Sequence, residues 1–151
     1  MYRMFSQYFF LLFLLLISFS CKKEQNPVPF TSVDIRVFDI ESDPQYSALR
    51  SPLNAVYLSS SKCVGYNCNG IVIFRAKVEG AYNDYRAFDR TCTHEAHSCA
   101  MEIDSAFPDL LVCPCCGSIF SMIGGYMQQG PAKHPLREYT CDFYEGDLYI
   151  H

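Results

Sequence analysis

Two short clusters of cysteine and histidine carry the clearest chemistry in this chain: Cys92-Thr93-His94, and Cys113-Pro114-Cys115-Cys116-Gly117-Ser118. The first offers donors in a C-x-H spacing and the second in a C-x-x-C spacing, with eighteen residues between His94 and Cys113. Two tight loops, each with two donors one or two residues apart, let four ligands converge on a metal from two directions with little loop strain. A Cys3His set suits tetrahedral zinc. In an exported chain the same sulfurs also suit disulfides on a metal-free scaffold. The residues alone leave these readings open.

The elements that must hold these loops read as β-strands. Val33–Ile40 alternates apolar and polar positions, and Ala55–Leu58 and Ile71–Val78 are β-branched or aromatic runs. Tyr82–Asp89 leads into the first box and Leu110–Cys113 into the second; Ile119–Met122, Tyr126–Gln128, Arg137–Phe143 and Leu148–Ile150 follow. Turn signals at Gly65, Asn69-Gly70, Glu79-Gly80, Gly124-Gly125 and Glu145-Gly146-Asp147 separate them. Glu41–Leu53 has room for a turn of helix. Many short strands with frequent turns predict an all-β fold, an antiparallel sandwich or barrel. Most of the 12 Phe and 11 Tyr outside the leader are expected in that core, with Phe120 and Tyr126 near the two loops.

Over roughly residues 33–150 the chain resembles the Rieske iron–sulfur family, whose boxes are C-x-H and C-x-x-H. Cys92 and Cys113 match its cysteine ligands and His94 its first histidine, while Cys116 stands where the second histidine belongs. Ile71–Arg75 and Tyr85–Asp89 resemble the strands before the first box, Gly117-Ser118-x-Phe120 the strand leaving the second, and Gly130-Pro131-Ala132 with Pro135-Leu136 the proline loop. The resemblance implies two loops that bind a [2Fe–2S] cluster through Cys92, His94, Cys113 and Cys116. It also implies a bridge between Cys99 and Cys115. Cys63 and Cys68 suit a small local bridge, and Cys141 has no evident partner. His97 is a substitute for His94 if the loop is shifted, His134 reads as solvated, and His151 as a frayed terminus. A thiolate adds negative charge where the family has neutral imidazole. Two-histidine centres span about −150 to +300 mV and all-cysteine plant-type clusters lie near roughly −400 mV, so a low potential is expected. Phe120 points the same way, because high-potential members carry a tyrosine there that donates to a cluster-bound sulfur; Ser118 can still donate.

The address comes from the N-terminus. Residues 1–20 read as a secretory leader, with Arg3 as the positive n-region and a nearly continuous apolar run from Tyr8 to Phe19. Ser18-Phe19-Ser20-Cys21 resembles a bacterial lipobox, which makes Cys21 the lipidated mature N-terminus. Residues 21–32 read as a lipidated, extended tether that holds the domain off the bilayer, and 33–151 as the folded domain. The chain is thus expected to be an exported lipoprotein, anchored in a membrane and facing the periplasm or cell surface. The leader lacks a twin-arginine pair and resembles a general secretory signal, which threads the chain unfolded; a cluster would then require insertion after export, which favours the cluster-free reading.

Formal net charge is −4, and losing the leader with Arg3 makes it −5. An acidic domain with no basic run excludes nucleic acid as a partner. No nucleophile–base–orienter set and no phosphate loop is visible. Asp89, Glu95, Glu102 and Asp104 around the first box read as solvated acids. The chain is expected to be no stand-alone catalyst but an electron carrier or redox subunit that meets a redox partner protein. The rival classes are a zinc- or disulfide-stabilised binding module and a structural lipoprotein subunit.

Overall fold

The computed structural model of the protein describes residues 25–76, 85–94, 96 and 99–151. The leader, Cys21, the Lys22-Lys23 pair, Glu95 and His97 lie outside the described residues. Eleven strands appear there: β1 (Ile35–Val37), β2 (Ala55–Tyr57), β3 (Ile71–Arg75), β4 (Tyr85–Asp89), β5 (Glu102–Ile103), β6 (Leu110–Val112), β7 (Ile119–Ser121), β8 (Tyr126–Gln129), β9 (Glu138–Tyr139), β10 (Cys141–Tyr144) and β11 (Asp147–Ile150). They form three antiparallel sheets, ordered β1-β11-β10, β2-β3-β4-β9 and β5-β6-β7-β8.

The middle sheet explains the sequence of β3. Ile71 and Ile73 face one core with Tyr85, Ala87, Leu148 and Ile150. Val72 and Phe74 face a second core with Phe88, Leu111, Phe120, Cys92 and Cys113. A strand buried on both faces loses the alternation of a half-exposed strand and becomes a continuous apolar run.

Arg137–Phe143 is not one strand. β9 pairs with β4, through Ala87 with Tyr139, and β10 pairs with β11. The chain changes sheet at Thr140, whose backbone exchanges hydrogen bonds with His151 at 2.8 and 3.0 Å. The C-terminal residue is therefore tied down rather than frayed. The expected helical turn is a 3₁₀ segment, Pro44–Arg50, capped by the Asp43 carboxylate, which accepts from the Gln45 amide at 2.8 Å.

The segment read as an extended tether is docked over its described part. Val28 is fully buried, and its carbonyl accepts from the Arg137 guanidinium at 2.9 Å. Asn26 donates to the Pro135 carbonyl at 2.9 Å, and the Phe30 ring lies 5.9 Å from that of Tyr139. The physical reason is one apolar side chain, Val28, that finds a pocket, with polar neighbours whose backbone and amide groups find partners.

Candidate metal centre

β4 delivers the first box and β6 the second. After Asp89 the chain turns, and Thr91 makes an isolated bridge with Ala100 that closes the loop carrying Cys92 and His94. The second box is a tight turn between β6 and β7: the Gly117 amide donates to the Cys113 carbonyl at 2.9 Å and the Cys113 amide to the Ser118 carbonyl at 2.8 Å. Gly117 has φ +72°, the left-handed conformation this turn needs. Gly130, at φ +109°, lets the proline loop lie on the box, since a Cβ there would sit 2.5 Å from Ser118 Cα. The contact is completed by the Ala132 amide, which donates to Ser118 Oγ at 3.1 Å.

These turns bring the sulfurs of Cys92, Cys113 and Cys116 within 4.8 Å of one another, with Cys92 and Cys116 3.6 Å apart. Cys92 and Cys113 are buried and Cys116 half-buried, and all three are free thiols. Of the box sulfurs only Cys115 is in a disulfide, so the disulfide reading does not extend to these three. Burial pushes the Cys92 thiol well up. Burial also raises Cys116, but hydrogen bonds from Ser118 and its backbone, and from Cys113 and Cys92, outweigh it and hold that thiol below its ordinary value. Cys116 Sγ and Ser118 Oγ are 3.1 Å apart.

Two disulfides frame the centre. Cys99–Cys115 joins the two boxes, and Cys63–Cys68 closes a small loop before β3. In the chain-entropy account, a crosslink across a separation of 16 residues contributes about 3 kcal/mol. Cys141 has no bridge; burial, with Glu138 and Asp142 beside it, pushes its thiol up to about 12.

Asp89 corrects the reading of the acids near the first box as solvated. It is fully buried. Its carboxylate accepts from the amides of Tyr66 and Thr91 at 2.6 and 2.8 Å and from the Tyr139 hydroxyl at 2.7 Å. Burial, then this hydrogen bond, raises the Tyr139 phenol. Thr91 Oγ1 accepts from Asn69 at 2.9 Å and donates to the Tyr66 carbonyl at 3.0 Å. Asp89 therefore ties the Cys63–Cys68 loop, the residue before Cys92, and β9 into one network. Two of its three donors, Tyr66 and Tyr139, come from distant segments that gave the sequence no local signal for it.

His94 is half-buried and stands outside the group of three sulfurs. With Thr93, Pro131, Lys133, His134, Gln25 and Pro27 it lines a cavity of about 210 Å³ beside the first box. His134 is half-buried and forms part of the wall of this cavity. Thr93, unremarked in the sequence, is fully buried and donates to the His134 carbonyl at 2.7 Å, which pins the proline loop to the first box. Phe120 packs with Cys92 and Cys113 in the second core as expected. Tyr126 does not: it is 66% exposed, with its ring over Gly124.

Residues 53–140, more than half of the chain, match the family model described as Rieske [2Fe-2S] domain. Among solved structures, the plasma-membrane Rieske protein of the cyanobacterium Synechocystis PCC 6803 aligns with 19% identity and a TM-score of 0.51, over 80% of this chain and 99% of that one. A ferredoxin of Sphingomonas yanoikuyae B1 aligns with 16% identity and a TM-score of 0.47, over 78% and 97%. A chain from the complex of oxygenase and ferredoxin in carbazole 1,9a-dioxygenase aligns with 17% identity and a TM-score of 0.49, over 78% and 100%. No curated protein matches the sequence. The cofactor that the family match implies is a [2Fe–2S] cluster, and the role it supports is iron–sulfur electron transfer. Three converging sulfurs, two of them buried, fit it as the soft ligands such clusters take, while His94, the fourth donor of the motif, stands outside the group.

Proposed function

Because the chain belongs to the Rieske [2Fe-2S] domain family, we propose that it is a membrane-anchored electron carrier or redox subunit with one [2Fe–2S] cluster held by Cys92, His94, Cys113 and Cys116. The observation that carries this reading is the convergence of three free sulfurs from two separate loops within 4.8 Å. A cluster bound there supplies reversible one-electron exchange. The protein's own residues do the rest. Cys92 and Cys113 sit in the apolar core, which excludes water from that side of the site. His94 adjoins the open cavity, the side a redox partner reaches. Ser118 Oγ, next to Cys116 Sγ, is placed to donate to that sulfur once it is a thiolate. Phe120 brings no donor.

The anchor is the lipid on Cys21, which makes the protein an exported lipoprotein on the periplasmic or outer face of a membrane. The lipobox-like Ser18-Phe19-Ser20-Cys21 after an apolar leader supports this.

The test is an absorption spectrum with iron, sulfide and zinc content, taken on protein from its native host. Brown protein with two irons per chain is the expected result. A colourless protein with one zinc, or with none, would overturn the carrier reading. Redox titration then tests the ligand set. The native midpoint should fall below about +100 mV, and Cys116→His, which replaces a thiolate by a neutral imidazole, should raise it by roughly 100–300 mV.

A further inference from the structure

The docked N-terminal segment reaches the domain at the end that carries the metal centre. Gln25 and Pro27 form one wall of the cavity whose other walls include His94, Lys133 and His134. Val28, Asn26 and Phe30 hold that segment down through Arg137, Pro135 and Tyr139. Cys21 lies four residues before Gln25, and four residues reach at most about 14 Å even when fully extended. A lipid on Cys21 therefore cannot sit far from this cavity.

We propose, resting on the lipid anchor argued above, that residues 25–30 are an orienting strap that turns the Pro131–His134 loop and its cavity toward the headgroup layer of an anionic bilayer. Charge favours the same orientation. Lys133 is exposed on the cavity wall, and in the sequence Lys22 and Lys23, against one Glu24, directly follow Cys21; basic groups near a bilayer are drawn to anionic lipid. Without the leader and its Arg3 the chain carries a net charge of −5, so its remaining surface is repelled. The redox partner is then met at the membrane.

The test uses the full chain, expressed and processed in its host, in liposomes of mixed phosphatidylcholine and phosphatidylglycerol and in neutral detergent. Amide exchange and acylation of Lys133 are read by mass spectrometry. In liposomes, exchange over 130–135 and acylation of Lys133 should slow at least several-fold, while the exposed Glu145 turn of the β10–β11 hairpin stays unchanged. Ten Gly/Ser residues inserted between Lys23 and Glu24 should abolish that protection without releasing the protein from the membrane. Val28→Asp should do the same by expelling the strap. A protein with a lipidated Cys21 but no protection at 130–135, or with the hairpin protected instead, would overturn the strap and leave the anchor standing. A processed chain without lipid on Cys21 would overturn both.

Discussion

The two cores on either side of the middle sheet are built by different rules. One, between the β1-β11-β10 sheet and the middle sheet, is closed by aliphatic and tyrosine side chains such as Val37, Leu49, Ile73, Tyr85 and Leu148. The other holds Phe74, Phe88, Leu111 and Phe120, but also the free thiols of Cys92 and Cys113. The buried polar groups Asn69, Asp89, Thr91, Thr93 and Ser118 all flank the two boxes. A hydrocarbon core needs only shape and apolar area. A metal site needs donors at fixed positions, and each buried polar group must then find its own hydrogen bonds. The second region therefore depends on a network, and the first on packing.

That contrast can be broken most severely at Cys113. Cys113→Ser should remove bound iron and the visible absorption entirely, as measured by metal content and spectrum, while circular dichroism still reports the β-sheets. A variant that keeps full iron would show that Cys113 is not a ligand. On the other side of the middle sheet, Leu148→Ala should cost about 2–5 kcal/mol in urea unfolding, with iron content unchanged. If iron fell in proportion, the two cores would not be separable. Asp89→Asn lies between the regions. An amide nitrogen accepts no hydrogen bond, so whichever way the side chain turns at least one of the three donors loses its acceptor, and stability should fall by about 1–3 kcal/mol. Alkylation of Cys92 in metal-free protein should also quicken, since the residue before it loses an anchor.

The smallest effect is expected far from the centre. The Asp147 carboxyl is held below its ordinary value by the hydrogen bond from the Asp39 amide, then by Arg36. Its folded pKa is the lower one, so its contribution is present above the unfolded aspartate range near about 4 and is lost as pH falls through the folded value. Asp147→Asn should flatten the acid limb of a stability-against-pH curve slightly and leave the midpoint potential alone. A change in potential would contradict the separation of the two regions.

Much of the candidate site was legible because its signal is local: Cys92, Cys113 and Cys116 converge, and Gly130-Pro131 and the partnership of Cys99 with Cys115 lie within short stretches of chain or follow the family pattern. His94, the other half of the C-x-H spacing, stands outside that group. Asp89 was misread because two of its three donors come from Tyr66 and Tyr139, which reach it only once the sheets form; the third, the Thr91 amide, is a local contact two residues on. Thr93 was missed for the same reason, its acceptor being the distant His134 carbonyl. β5 is two residues long and has too little pattern to read. The run from Arg137 to Phe143 has a strand's composition throughout, and composition does not say which of two sheets each half will join.

Residue types and their spacing decided the donors, the all-strand character and the turns, because a ligand pair, a two-residue period and a glycine turn are properties of neighbours along the chain. Tertiary structure alone decided that β3 serves two cores, that the chain changes sheet at Thr140, that Asp89 is buried, and that the segment around Val28 lies against the domain instead of hanging free. Each of these is a contact between groups far apart in sequence, and such contacts take their energy from burial and hydrogen bonding that exist only after the sheets have come together.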